Sequence, residues 1–259
     1  MFHQQWQAYG YRVRFEWNDA VFLPAITDIV LPDWEKVGGD RFDALFELLF
    51  EERNIIIKQN GQVKSQNITL DSVSHTLKRL CHLDVATYAK DLVFVHAGVV
   101  LTEFGLLLLP GRSFAGKSTL VKSLVDAGCR YYSDEYALVD EQGLVRPFPR
   151  RLCLRLSKEE NAFLPARSLG WDEMLRPEPV AAVLVTRYEK GATWEPQALS
   201  QGTGVLKLLE NTVCARTDPQ KAIRFLTTAI GPSVCFESAR GESGEAAEQI
   251  LKMMKAQRS

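Results

Sequence analysis

The chain has 259 residues, 46% hydrophobic and 24% charged, which is enough to bury one large domain or one domain plus a smaller module. Its 31 basic and 32 acidic residues nearly cancel, and no block of one sign argues for a nucleic-acid or membrane-surface partner. The first residues lack a signal-peptide pattern, and the five scattered cysteines form no C-x-x-C pair. We therefore expect a cytoplasmic protein with reduced thiols and with no nucleic-acid or membrane partner.

Residues 1–90 predict an α+β region of unknown role, because they contain no motif that carries chemistry. Alternating apolar and charged residues indicate strands, and a two-residue Asn-Gly segment between strand-like runs indicates a hairpin. The expected elements are a strand at 11–17, a helix at 42–51, a hairpin at 54–69 around Asn60-Gly61, and a helix capped by Asp71 that runs to about Ala89.

Residues 91–259 are predicted to form a second domain that begins with an antiparallel hairpin. Its apolar runs at 92–102 and 106–110 are separated by three residues, too few for the crossover that joins parallel strands. Further strands are expected at 131–139, 151–156, 180–188, 193–199 and 233–237, with a hairpin around Gly191, and helices at 203–213, 219–230 and 242–256. This irregular alternation supports an α/β or α+β class.

The most informative motif lies at residues 111–119, which fit the P-loop (Walker A) pattern G-x-x-x-x-G-K-[ST]. Its members are Gly111, Arg112, Ser113, Phe114, Ala115, Gly116, Lys117, Ser118 and Thr119. A buried strand precedes the motif, and a helix stopped by Gly128 follows it.

The backbone N–H groups of such a loop, together with the positive end of its helix, bind phosphate oxygens. Lys117 would contact the outer phosphates, and the Ser118 hydroxyl would ligate Mg²⁺. The motif therefore predicts a nucleoside triphosphate site. The alternative is an ordinary strand-to-helix turn that happens to match the pattern.

A P-loop also needs a carboxylate near its metal and often a base for the acceptor. Asp134 and Glu135 follow the P-loop helix, at the end of a short predicted strand. They point to opposite faces of an extended chain, so we assign them separate roles. Asp134 is placed near the metal or the attacking hydroxyl, and Glu135 completes the metal environment. The alternative is an exposed acidic turn.

Four other polar residues are candidates with open alternatives. His96 interrupts an apolar strand, where it is either a satisfied core histidine or a member of the site, since its hairpin lies beside the P-loop strand. Arg151 and Arg155 share one face of a strand, and they either contact phosphate or belong to a solvated face. Arg216 is a further candidate without a predicted position.

Taken in order, His96-Ala-Gly98, the P-loop motif, Gly128 and Asp134-Glu135 resemble the catalytic domain of HPr kinase/phosphorylase. That family shares its nucleotide-binding core with the ATP-dependent phosphoenolpyruvate carboxykinases. The match spans about residues 92–156 and keeps the family's order and similar spacing. Phe114 stands where the family usually has glycine, and Glu135 replaces its second aspartate.

The resemblance implies an α/β fold with a mixed sheet, in which a phosphoenolpyruvate carboxykinase-like P-loop core follows the N-terminal α+β region. It implies a serine kinase that uses ATP and Mg²⁺, with Asp134, Lys117 and His96 as catalytic residues. The acceptor would be a hydroxyl of a protein, a peptide or a small molecule other than HPr, and assembly into a homo-oligomer is also implied. A non-catalytic ATP-binding regulatory module and a nucleotidase remain open alternatives.

Overall fold

The computed structural model describes residues 1–31, 33–51, 54–111, 115–155 and 160–257. They form two compact units, Met1–Asp91 and Leu92–Ser259. Both units combine helices with sheets of mixed strand direction, so the expected α/β class with a mixed sheet is confirmed. No helix in the described ranges is long and apolar enough to cross a membrane.

The first unit is a six-stranded sheet with two helices packed on one face. Alternate residues of the central strands are buried in one core with residues of both helices, which is why the strands alternate between apolar and polar residues. The strand order is β3-β1-β2-β4-β5-β6. Its elements are β1 (Phe2–Ala8), β2 (Tyr11–Trp17), a 3-10 helix (Ala20–Phe22), α1 (Leu23–Ile29), β3 (Glu35–Val37), β4 (Ala44–Glu51), β5 (Asn54–Gln59), β6 (Gln62–Gln66) and α2 (Leu70–Tyr88).

The helix expected at 42–51 is wrong, because these residues form β4, which runs parallel to β2. The segment has apolar residues at helical as well as strand spacing, so its periodicity does not distinguish the two. Burial decides, since Phe46 and Leu48 enter the core while Glu47 between them is only partly buried. Phe46 stacks on Phe15 of the neighbouring strand.

The other predictions for this unit are confirmed, with one change at a helix terminus. The strand at 11–17 is β2, and Asn60-Gly61 joins β5 to β6 as the expected two-residue turn. The long helix is α2, but Thr69 occupies the position before its first turn, and Asp71 lies inside that turn.

The second unit has one large sheet with helices on both faces. Its elements are β7 (Leu92–Thr102), β8 (Gly105–Pro110), α3 (Lys117–Asp126), β9 (Arg130–Ser133), β10 (Tyr136–Asp140), β11 (Leu144–Arg146), β12 (Leu152–Arg155), β13 (Asn161–Leu164), 3-10 helices (Ala166–Leu169 and Val213–Arg216), β14 (Glu178–Tyr188), β15 (Gln197–Leu199), α4 (Gln201–Leu209), α5 (Pro219–Ile230), β16 (Val234–Arg240) and α6 (Ser243–Ala256). The strand order is β11-β10-β7-β8-β14-β16-β15, β9 also pairs with β7, and β12 and β13 form a separate hairpin.

The helices cover the two faces of this sheet in pairs. Helices α3 and α6 share one core with it, and α4 and α5 share the other. Because β7 and β8 are buried on both faces, they read as nearly continuous apolar runs in the sequence. His96 is the polar interruption in the first of these runs, and it is only half-buried.

Strands β8, β14 and β16 run parallel to one another, so their carboxyl ends lie at the same edge. Strand β8 leads into the P-loop motif there, and β16 leads into α6. The antiparallel hairpin of β7 and β8 is confirmed. The strand that enters the motif therefore has an antiparallel neighbour on one side and a parallel neighbour on the other.

Two expectations for this unit are corrected. Strands β14 and β15 do not form a hairpin around Gly191, because β16 pairs with both of them and lies between. The strand expected at 131–139 is broken at Asp134-Glu135 into β9 and β10. The predicted helices are present, although α4 ends earlier than expected, at Leu209. The remaining strands are also present, but the one expected at 193–199 is reduced to β15 (Gln197–Leu199), and residue 156 of the one expected at 151–156 lies outside the described residues.

Gly98 allows the P-loop helix to pack on β7. A Cβ built at this buried position would lie 2.5 Å from Cγ2 of Val121 in α3. The valine is fully buried and its short branched side chain has little room to move. The glycine of the His-x-Gly segment is therefore explained by close packing of a helix against a strand.

We predict that Gly98→Ala destabilises the protein by about 1–3 kcal/mol, because the new methyl group overpacks the contact with Val121. Urea unfolding measures this loss. Adding Val121→Ala makes room for the methyl group, so the double variant should be more stable than the sum of the two single effects. Gly244→Ala is the control, since it lies in a helix with open space around it and should be neutral or slightly stabilising. Additive effects of the two substitutions would contradict this explanation.

Candidate functional site

The P-loop motif and the acidic pair lie on opposite sides of one short stretch of β7. On one side, Ala97 pairs with Pro110, the last residue of β8 before the motif. On the other side β9 ends and β10 begins, and the break between them is formed by Asp134 and Glu135. The backbone N–H of Ala97 donates to the carbonyl of Glu135. Segments separated in the sequence by a whole helix are thereby brought together.

A hydrogen bond joins the two segments directly. Ser118, in the first turn of α3, donates from Oγ to Oδ2 of Asp134 at 2.9 Å. The other carboxylate oxygen, Oδ1, is buried and makes no hydrogen bond of normal geometry with the described residues, although the backbone N–H of Cys153 acts on the carboxylate and lowers its pKa slightly. Buried carboxylate oxygens are normally satisfied, so this oxygen is available for a further ligand.

Asp134 is electrostatically unusual. Burial raises its pKa from 3.8 to about 7, and the negative charge of Glu135 acts in the same direction. The hydrogen bond from Ser118 and the charge of Lys117 lower the pKa, but they only partly offset burial. A carboxyl group with this pKa exchanges its proton near neutral pH, which suits a proton acceptor in a reaction.

Lys117 lies in the same place. Its ammonium group donates to the carbonyl of Gly111 at 2.7 Å, so the side chain bends back across the start of the motif. Burial lowers its pKa, and the charge of Asp134 raises it. The described residues thus hold an ammonium and a carboxylate that act on each other beside the amino terminus of a helix.

Part of the P-loop motif, Arg112, Ser113 and Phe114, lies outside the described residues. Of the others, Ala115 is half-buried and Thr119 is exposed. Gly116 occupies the position before α3 with φ of +79°, a left-handed conformation that glycine adopts at little cost.

His96 is oriented towards the acidic turn. Its Nδ1 lies 2.7 Å from the carbonyl oxygen of Glu135, and since a carbonyl only accepts, Nδ1 carries the proton. Burial lowers the pKa of His96, and the nearby charge of Lys117 lowers it further. The neutral ring therefore donates through Nδ1 and keeps Nε2 as an acceptor.

Glu135 takes a different partner from Asp134. Nη1 of Arg150 donates to Oε2 of the Glu135 carboxylate at 2.5 Å. The arginine also lies over the ring of Phe148, 5.9 Å from the ring centroid. Glu135 as a metal ligand stays a prediction, because in the structure its carboxylate is held by an arginine that the sequence analysis did not select.

The arginines that the sequence did select are all exposed: Arg151 and Arg155 at the β12–β13 hairpin, and Arg216 in a 3-10 helix. The buried arginine at this edge is Arg240, the last residue of β16. Its Nη2 donates to the carbonyl of Gly116 at 2.8 Å. No sequence signal separates it from the other basic residues, because its burial depends on the pairing of β16 with β14.

We predict that replacing Asp134 by Asn makes the metal-free protein more stable than wild type at neutral and higher pH. The folded pKa of about 7 lies above the ordinary 3.8, so the contribution of Asp134 to stability is full at low pH and is lost as the pH rises through about 7. Unfolding measured with a chelator from about pH 5 to about pH 8 tests this. The advantage of Asp134→Asn should grow with pH and level off above about pH 7, whereas a constant difference would contradict the burial argument.

No protein-family model matches the chain, and no curated protein matches it. Function is therefore inferred from the P-loop motif and from the side chains that the fold brings to it.

Proposed function

We propose that the unit Leu92–Ser259 has a nucleotide-binding core like that of HPr kinase and phosphoenolpyruvate carboxykinase, and that it is an ATP- and Mg²⁺-dependent kinase. The γ-phosphate would be transferred to a hydroxyl, most simply the serine of a protein or peptide. The observation that carries the proposal is the hydrogen bond between Ser118 and Asp134. It joins the residue that a P-loop uses for its metal to a carboxylate at the break between β9 and β10.

The oxygen groups at this point fit Mg²⁺. Ser118 supplies a hydroxyl, and Asp134 supplies a carboxylate with one buried oxygen that makes no hydrogen bond of normal geometry with the described residues. Within the described part of the chain, no three His, Cys, Asp or Glu side chains cluster to hold a metal. Magnesium does not require such a cluster, since it keeps several waters and binds through one or two carboxylates and the substrate's phosphates. When bound, it would neutralise charge on the phosphates.

The side chains around Ser118 and Asp134 would have separate roles in phosphoryl transfer. Lys117 and the N–H groups at the start of α3 would hold the outer phosphates by charge and hydrogen bonding. The acceptor oxygen would form a bond to the γ-phosphorus while the bond from phosphorus to the β–γ bridging oxygen breaks and ADP leaves with that electron pair. The hydroxyl proton would pass to Asp134. Since phosphoryl transfer depends mainly on positioning and charge, few further groups are needed.

His96 would position the acidic turn rather than react. It donates from Nδ1 to the carbonyl of Glu135, the residue after Asp134. A hydrogen bond at this carbonyl fixes the backbone that carries the proton acceptor. Because burial and the charge of Lys117 lower the pKa of His96, the ring is neutral and adds no second positive charge beside Lys117.

We predict that Mg-ATP stabilises the wild-type protein and does not stabilise Lys117→Ala. A ligand at about a hundred times its dissociation constant adds about 2.7 kcal/mol to the native state, which thermal unfolding detects. Lys122→Ala is the matched control, because Lys122 lies in the same helix and pairs at the surface with Asp126. It should respond to Mg-ATP as wild type does. Equal stabilisation of Lys117→Ala, or no stabilisation of wild type, would contradict the proposed phosphate site.

The transfer step needs a second measurement, with γ-labelled ATP and a cell extract. A labelled protein, peptide or small molecule that forms with wild type and not with Lys117→Ala supports a kinase. Release of labelled phosphate alone identifies a nucleotidase. Tight binding with neither product identifies a regulatory binding module.

For His96 we predict that Asn preserves most of the transfer rate, whereas Ala lowers it by about tenfold or more. The amide of Asn places an N–H near the position of Nδ1, so it can keep the hydrogen bond to Glu135. Rates measured at saturating ATP separate the two cases. Equal loss in both variants would mean that Nε2 contacts the reacting groups and that His96 is itself catalytic.

A further inference from the structure

Arg240 is a buried cation beside Gly116, the residue that precedes α3. Only 2% of the residue is exposed, which makes it the largest fully buried side chain among the described residues. It ends β16 at the sheet edge where β8 leads into the motif. Its Nη2 donates to Gly116 at 2.8 Å and its Nη1 donates to Gly241 at 3.2 Å, both through carbonyl oxygens.

The positive charge of Arg240 has no carboxylate partner in the described ranges. None of the ion pairs there includes it, and its Nε is buried without a hydrogen-bond acceptor. Glu242 attracts it from beyond ion-pair distance, and the carboxylate of Glu242 accepts a hydrogen bond from Tyr188. The Tyr188 ring, 5.7 Å from the guanidinium carbon, gives weak compensation. Burying an unpaired cation is costly, so its retention calls for an explanation other than stability.

The contact with Gly116 ties the charge to the start of α3. The carbonyl that receives Nη2 also accepts the N–H of Leu120, so it closes the first turn of the helix. Gly116 has φ of +79°, and a Cβ there would lie 2.5 Å from Nη2. The guanidinium therefore occupies the space that any other residue at position 116 would fill, and it fixes the backbone just before Lys117.

We propose that Arg240 is a positioning residue of the phosphate site, which orients the Gly116 peptide and adds a buried positive charge that a bound polyphosphate compensates. This inference rests on the proposed nucleotide site. It assigns to one group both an interaction with the backbone of the motif and an electrostatic role. The guanidinium stays charged at neutral pH even though burial lowers its pKa.

The proposal predicts opposite effects on stability and binding when Arg240 is replaced by Met. Met fills a similar volume without a charge, so the nucleotide-free protein should be as stable as wild type or more stable. The carbonyl of Gly116 keeps its helical hydrogen bond from Leu120. Affinity for ATP should nevertheless fall by about tenfold or more, because the uncompensated charge and the orientation of the loop are both lost.

The test is calorimetric binding of Mg-ATP, Mg-ADP and AMP to wild type, Arg240→Met and Arg240→Lys, with thermal unfolding of each free protein. We expect the loss in Arg240→Met to grow with the number of phosphates, staying within about threefold for AMP, and Arg240→Lys to recover part of it. Arg187→Met is the control, because Arg187 is an exposed arginine near the end of β14 whose charge pairs with Glu189. It should bind like wild type.

Different results separate this inference from the proposed function. If wild type binds no nucleotide, both are overturned. If wild type binds ATP and Arg240→Met binds it equally well, or loses ATP and AMP affinity by the same factor, the inference alone fails. A large drop in the stability of Arg240→Met with unchanged ATP affinity would assign the arginine a purely structural role. Should Arg240→Met not fold, the same comparison of ATP with AMP in Arg240→Lys decides.

Discussion

The hydrogen bond between Ser118 and Asp134 is the interaction on which the account of this protein depends. It links the first turn of α3 to the break between β9 and β10, two segments that meet only because both flank β7. Helix α3 packs closely on β7 at Gly98, where the strand has no side chain. A closely packed helix and a broken strand together place a hydroxyl beside a carboxylate at the end of the P-loop motif.

Burial in the free protein disfavours the charged forms of Asp134, Lys117 and Arg240 relative to water. Burial raises the pKa of Asp134 and lowers that of both Lys117 and Arg240. Perturbed ionisable groups cluster at functional sites, where burial and neighbouring charges tune their pKa values to a chemical task. A polyphosphate with its magnesium brings charges of both signs, so it would compensate cations and carboxylate together. The free energy that burying these charges costs the free protein would be recovered when the ligand binds.

Much of this arrangement could be predicted from the sequence, and the limits have physical causes. The β7–β8 hairpin followed from a three-residue connection, and α3 followed from its periodicity and the glycine that stops it. Residues 42–51 were misassigned because their apolar spacing fits two periods and only the neighbouring strand decides. The β14–β15 hairpin failed because β16, distant in sequence, lies between them. Arg150 and Arg240 were missed for the same reason, since tertiary contacts alone distinguish them from exposed arginines.

A metal site at Ser118 and Asp134 is tested by the dependence of ATP affinity on magnesium, measured in wild type and Asp134→Asn. If Ser118 and Asp134 hold the metal beside the phosphates, adding Mg²⁺ should tighten ATP binding to wild type by about tenfold or more. In Asp134→Asn the same addition should have little effect, while ATP without metal still binds through Lys117 and the loop. An equal response to Mg²⁺ in the two proteins would contradict the claim that these two residues form the metal site.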